Sequence, residues 1–190
     1  SAASDVYKRQ ESRLFAVSCG IGFDAAVCAE AMSSRIKDTM NRIGLGKLTY
    51  LGIALKQLIT ARKVSCTLTL EDKVHDKKES VELPRFLFVT CMSHRYEGGG
   101  FMFCPPAVDH DGVLDLCSVG NISKGLVLLA LPTAFFGKHY FVKGINAHTA
   151  TQMSITASAP LWVHTDGEVT RKSRGFRVEC LPGAIRMITP

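Results

Sequence analysis

Between residues 64 and 70 apolar and polar side chains alternate without a break: Val64, Cys66, Leu68 and Leu70 against Ser65, Thr67 and Thr69. Successive side chains of a strand point to opposite faces, so this pattern predicts a half-buried antiparallel strand. Further strand segments are expected at 81–83, 85–92, 114–119, 152–157, 161–164, 176–180 and 184–188, with the charged run 71–79 as a hairpin loop. Many short strands divided by turn residues predict a sandwich or barrel. Upstream, residues 14–17 read as a short strand that runs into Gly20-Ile21-Gly22-Phe23-Asp24, a tight turn with Asp24 held near the backbone.

Two helices are expected. One begins within 25–35; the other covers 47–62, where Leu48, Leu51, Leu55, Leu58 and Ile59 recur at a period of about 3.6, with Lys47, Lys56 and Arg62 on other faces. The fold class is therefore mainly β (α+β), an antiparallel β-sandwich of packed sheets with one or two helices.

The length of 190 residues suits one domain with a core that needs no disulfide. Its seven cysteines are odd in number and none are paired at CxxC spacing, which predicts buried free thiols in a reducing cytoplasm. The net charge of +6 suits anionic partners, and serves solubility equally well. The longest apolar stretch, 126–136, contains Pro132 and falls short of the roughly 20 residues that span a bilayer, so membrane contact is expected to be peripheral. Aromatic residues are not interleaved with basic ones, which argues against nucleic acid.

The chemistry lies in three acidic or glycine-rich segments. In Thr165-Asp166-Gly167-Glu168 two carboxylates flank a glycine; in an extended segment they face one side, where a carboxylate can accept the proton of an attacking hydroxyl. The same Asp-Gly is also the signature of a hairpin turn with a solvated Glu168. Asp109-His110-Asp111-Gly112-Val113-Leu114-Asp115 offers close oxygen ligands of the kind magnesium takes, and reads equally as an acidic turn before a strand. Gly98, Gly99 and Gly100 would let backbone amides approach a phosphate, but lack the Lys-Ser/Thr of a P-loop and also suit a tight turn.

Read in order, Phe15-Ala-Val-Ser-Cys-Gly-Ile-Gly-Phe-Asp-Ala, Arg95-Tyr-Glu-Gly-Gly-Gly-Phe, Pro105-Pro-Ala-Val-Asp-His-Asp-Gly-Val-Leu-Asp, Gly137-Lys-His, Thr165-Asp-Gly-Glu and Pro182-Gly-Ala-Ile-Arg-Met-Ile resemble the C-terminal domain of the bacterial diacylglycerol kinase family, which is related to the sphingosine kinases. The resemblance implies the second domain of a two-domain lipid kinase, with a cleft facing an α/β nucleotide-binding domain. It implies ATP as co-substrate, magnesium as cofactor and a membrane lipid such as diacylglycerol as acceptor, giving phosphatidic acid for phospholipid biosynthesis. A sphingoid base or another lipid alcohol is the alternative acceptor, and a non-catalytic lipid-binding module the alternative class.

Carried over by position, Asp166 is the expected general base with Glu168 beside it. Glu168, Gly98, Gly99 and Gly100 are expected on the nucleotide side. Asp111 is the expected magnesium ligand, assisted by the carbonyls of Val113 and Val108, and Asp24 joins the network linking that ion to the cleft. The apolar segment 125–137 is expected to line a lipid pocket. The protein is expected in the cytoplasm, peripheral at the inner membrane face, with a homodimer left open. Residues 1–10 look like a translated sequencing-adapter string, so residues 11–190 form the expected domain. Two departures from the family stand out: Ser93-His94 replaces Asn-Gly, and the Gly-Gly-Asp-Gly-Thr signature of the nucleotide domain is absent from these residues. The chain alone is therefore expected to be inactive.

Overall fold

The computed structural model describes residues 12–33, 46–97 and 100–184. In chain order they form β1 (Ser18–Gly22), α1 (Phe23–Ser33), α2 (Gly46–Thr60), β2 (Val64–Asp72), β3 (Lys77–Met92), β4 (Leu114–Gly120) and α3 (Lys124–Ala130). Two 3-10 turns, Leu131–Phe136 and His139–Phe141, lead to β5 (Ile145–Ala150), β6 (Gln152–Thr165) and β7 (Glu168–Glu179).

All the strand pairs are antiparallel, and two long strands organise them. The first half of β3 pairs with β2 (Thr67↔Glu82) and its second half with β1 (Cys19↔Cys91). Strand β6 does the same, meeting β2 at Cys66↔Ala157 and β1 at Gly20↔His164. The pairings thus run from β3 through β1, β6 and β2 back to β3, a closed ring to which β4 and β5 add beyond β3 and β7 adds along β6. Antiparallel β-sandwich packing is the architecture expected from the sequence.

Two apolar cores follow from the alternation. Ile21, Leu68, Val89, Leu116, Met153 and Val163 fill the inner one. Residues of opposite parity, among them Phe88, Met92, Cys117 and Val119, face outward and are covered by Phe23 of α1, Leu58 of α2 and Val127 of α3. Five of the seven cysteines are buried as thiols within these layers.

Several sequence-based boundaries shift for physical reasons. Segments 81–83 and 85–92 are one strand: Pro84, which has no amide to donate, sits at the register shift opposite Ser65. Segments 152–157 and 161–164 likewise merge, with Pro160 in the shift between Thr156 and Leu161. The charged run is mostly strand, shortened to a turn at 73–76 because Glu71 and Lys78 pair across the ladder at 2.7 Å. Residues 14–17 are not strand, whereas Gly20 and Gly22, expected as a turn, belong to β1. Among the described side chains of α2 the buried residues are Ile53 and Leu58, and Leu55 and Ile59, expected on the packed face, are exposed; Leu48 and Leu51, also expected there, lie outside the described side chains. Strand β5 was not expected, since its sequence INAHTA lacks clean alternation. Ala184 is not in a strand, and 185–188 lie outside the described residues.

Candidate functional site

The site grows from a missing side chain. A Cβ on Gly20 would lie 2.3 Å from Asp24 Oδ2 and 2.5 Å from His164 Nε2. Glycine at that point of β1 lets the first turn of α1 and the end of β6 close on each other. Asp24 Oδ1 accepts from the Ala25 amide at 2.7 Å, and Asp24 Oδ2 lies 3.0 Å from His164 Nε2. On the other side of the ring, Nδ1 accepts from the Gly167 amide at 3.3 Å. In that tautomer Nε2–H donates to Asp24.

Glu97 completes a buried polar group. Its Oε1 accepts from Ser18 Oγ at 2.7 Å and stands 3.8 Å from His164 Nε2. Burial, then the charge of Asp24, pushes the Glu97 carboxyl above its usual range. Burial works to lower His164, but the hydrogen bond and charge of Asp24, with Glu97 behind them, outweigh it and raise the imidazole. Three acids, Asp24, Glu97 and Asp166, thus surround one fully buried histidine.

Asp166 and Gly167 form the two-residue turn between β6 and β7, with Thr165 opposite Glu168. Both have positive φ, 49° and 79°, the geometry of the hairpin turn that Asp-Gly favours. The Asp166 carboxylate then turns back over the chain entering β1. Its Oδ2 accepts from Ala16 N at 2.9 Å, and its Oδ1 from Val17 N at 2.8 Å and Ser18 N at 2.9 Å. Partial burial raises this carboxyl, but the three amides and His164 outweigh it and hold it below the usual range. Ser93, one of the departures noted above, secures the same segment: its hydroxyl donates to Ala16 O, and its amide to Val17 O at 3.1 Å.

Glu168 is the opposite case. Its side chain is 75% exposed, with Arg13 NH1 3.7 Å from Oε2. It lines a shallow pocket with Arg13, Leu14, Thr165 and Asp166. Arg13 and Leu14 also border an adjoining cavity of about 740 Å³, lined by Phe15, Val163, Phe176 and Val178 together with Arg171 and Arg177. The 125–137 segment contributes none of its lining residues.

The other expected residues are spread out. Gly98 and Gly99 lie outside the described residues; Gly100, at φ 87°, helps close a turn in which its amide donates to Glu97 O at 3.2 Å. That turn positions Glu97. Asp111 is exposed and accepts from Val113 N at 3.1 Å. Nearby Asp115 is 5% exposed, and burial, then the charge of Asp111, pushes it up to about 6. Among the described residues no hydrogen bond joins Asp24 to Asp111, and no three His, Cys, Asp or Glu side chains converge as a metal centre. Sequence reasoning assigned no role to Ser18, Glu97 or His164. The available signal was spacing: His164 precedes Asp166 by two residues at the end of an apolar run, and Glu97 opens the glycine triplet.

These features define a class: an antiparallel β-domain whose hairpin turn, anchored on a buried acid–histidine group, presents one exposed carboxylate beside a cavity. The sequence profile of the YegS C-terminal NAD kinase beta sandwich-like domain matches residues 17–189, and the chain belongs to that family, the C-terminal domain of lipid and diacylglycerol kinases. It is 30% identical over 148 residues to a probable lipid kinase YegS-like protein of Xanthomonas campestris pv. campestris, covering 77% of this chain and 45% of the relative. It is 25% identical over 166 residues to a diacylglycerol kinase of Mycobacterium tuberculosis, covering 86% and 51%. The crystal structure of a diacylglycerol kinase from Bacillus anthracis superposes with a TM-score of 0.51 at 17% identity, over 89% of this chain and 47% of that one. The chain spans about half the length, or less, of the relatives it matches.

Proposed function

We propose that this chain is the acceptor-side domain of an ATP-dependent lipid kinase, and that Glu168 is its general base. The observation that carries the reading is the contrast within one turn. Asp166, the base expected from the sequence, has both carboxylate oxygens occupied by backbone amides, whereas Glu168 is exposed at the lip of a cavity with only a long contact to Arg13. A carboxylate that holds three amides is a positioning group; a solvated one can take a proton.

In the transfer, the lipid hydroxyl oxygen bonds to the γ-phosphorus of ATP while its proton passes to Glu168. The bond from that phosphorus to the β–γ bridging oxygen breaks, and ADP leaves. Arg13 supplies positive charge beside the incoming phosphoryl group, and the largely apolar cavity next to it suits an acyl chain. Diacylglycerol is the proposed acceptor, with a sphingoid base as the competing one. The nucleotide would be held across the cleft by a domain outside this chain, and the protein would act at a membrane face.

Magnesium fits the Asp111 region. Two neighbouring carboxylates, one buried and pushed up to about 6, are a pair short of positive charge. Asp111 and Asp115, with the carbonyls of Val113 and Val108, would hold the ion, which takes few carboxylates and keeps its waters. Bound there it would supply a fixed charge that neutralises the pair.

The test is transfer of labelled γ-phosphate from ATP to diacylglycerol in mixed micelles by the full-length protein, with a sphingoid base in parallel. Label in phosphatidic acid supports the reading; a folded, ATP-binding protein that labels neither lipid overturns it.

A further inference from the structure

The two residues of the hairpin turn are held in different ways. Asp166 is anchored on the chain entering β1: its amide donates to Ser18 O at 2.8 Å, and its carboxylate takes the amides of Ala16, Val17 and Ser18. Packing does not locate Gly167, where an added Cβ would meet nothing within 4 Å. Its amide instead donates to Nδ1 of His164. The β6–β7 ladder shifts register at that histidine: Val163 pairs with Arg171 but His164 with Val169, so β7 carries one extra residue there. Such a bulge re-aims side chains, and here the imidazole stands between Gly167 and Asp24.

The charged groups that face the ring are all acids. Asp24 comes from α1, Glu97 from the turn closed by Gly100, and Asp166 from the hairpin itself. Strand β1 adds Ser18, whose hydroxyl is engaged by Glu97, and the Cys19 thiol, which burial and the same acids push up to about 12 and keep uncharged. Strand β7 places the apolar Val169 opposite. Electrostatics and the turn therefore favour opposite states of one ring. The acids favour an imidazolium, whereas the Gly167 amide needs the lone pair that only a neutral Nδ1 has.

We infer that His164 is a positioning residue for the transfer: its neutral ring holds the Gly167 amide and so fixes the peptide that leads into Glu168, while protonation at Nδ1 releases it. The inference rests on the reading of Glu168 as the base. The ring is fully buried, so it meets neither acceptor nor phosphate and acts through one peptide plane. Protonation breaks the Gly167 bond and leaves the Asp166 contacts in place, so the turn loosens on the Glu168 side. Transfer then rises with pH through the titration of the ring, which Asp24 and Glu97 place above the ordinary histidine value of about 6.5.

The test follows three quantities against pH in the full-length protein: the ring nitrogens of His164 by NMR, solvent exchange of the Gly167 amide, and labelled phosphate transfer to diacylglycerol. In the wild type the Gly167 amide is expected to lose protection by at least ~10-fold below the ring's midpoint, and transfer to fall across the same range. Asp24→Asn is expected to carry both steps to lower pH together with the ring. In His164→Gln, whose amide can donate to Asp24 and accept from Gly167 but does not titrate, both steps are expected to vanish. Gly167 protection that ignores the ring's titration overturns the inference even if the variants fail to fold. So does a pH profile of transfer that His164→Gln leaves unchanged. A folded, ATP-binding wild type that transfers nothing at any pH overturns the kinase reading and with it the role in transfer, whatever Gly167 shows.

Discussion

The Gly167 amide donates to Nδ1 of His164 at 3.3 Å, and Nε2 of the same ring meets Asp24 Oδ2 at 3.0 Å, so one imidazole ties the hairpin turn to the first turn of α1. A ring protonated on both nitrogens has no lone pair left for Gly167. The Asp24 carboxylate raises the histidine, so Asp24→Asn should lower its titration midpoint, read from ring nitrogen shifts by NMR. Because the folded value is raised, the stabilisation is fully present below the ordinary histidine value of about 6.5 and is lost as pH climbs through the folded one. A midpoint that does not move in the variant would show that Asp24 does not govern the ring.

Gly20→Ala should be among the most damaging changes to the chain. The new methyl would meet Asp24 Oδ2 and His164 Nε2 well inside contact distance, and both groups are fixed by packing and hydrogen bonds. A loss of at least ~3 kcal/mol is expected, read as a lower denaturant midpoint or as insoluble protein. Gly167→Ala meets no neighbouring atom and tests only the positive φ, at a cost of about 1 kcal/mol. Equal effects from the two substitutions would contradict the packing described for Gly20.

Asp166→Asn and Glu168→Gln should separate stability from chemistry. Asparagine keeps one carbonyl oxygen where the carboxylate serves Ala16, Val17 and Ser18, so a loss of roughly 1–3 kcal/mol is expected. Glu168 is solvated and its contact with Arg13 is long, so Glu168→Gln should melt with the wild type. A destabilised Glu168→Gln beside an unaffected Asp166→Asn would reverse the assignment of the two carboxylates.

Asp115 gives a prediction in pH. Its folded value of about 6 lies above the ordinary aspartate range, so its contribution is present at low pH and lost as pH rises from about 4 through 6. Asp115→Asn should therefore match the wild type in acid and exceed it above pH ~6 in chelator, by on the order of 1–3 kcal/mol. Magnesium bound beside Asp111 should close that gap by stabilising the wild type alone. Calorimetry with and without the ion reads both effects, and a gap indifferent to magnesium would remove the metal from this acid pair.

The fold was legible where alternation was clean. Val64–Leu70 sits within a strand of the ring, and the apolar parity of β2 matches the inner core. Errors fell where tertiary context overrode a local signal: Pro84 and Pro160 lie at register shifts inside continuous strands, and Gly20 and Gly22 are strand residues because the Asp24 and His164 side chains at Gly20, and the Leu87–Phe88 backbone at Gly22, pack where a Cβ would be. The site was legible in part. Asp166-Gly167-Glu168 announced itself, but which carboxylate is tied down depends on the chain entering β1, some 150 residues away, and spacing within the motif carries no such information. His164 and Glu97 went unassigned for the same reason, since each acquires its partners only when β1, β6 and the glycine turn converge.

The central claim is that Glu168 takes the proton and Asp166 holds the turn. The most direct test compares labelled phosphate transfer to diacylglycerol by full-length wild type, Glu168→Gln and Asp166→Asn, each at a temperature where all three are folded. The account predicts that Glu168→Gln loses transfer by at least ~100-fold while melting normally, and that Asp166→Asn loses stability and retains measurable turnover. Wild-type turnover by Glu168→Gln would contradict it.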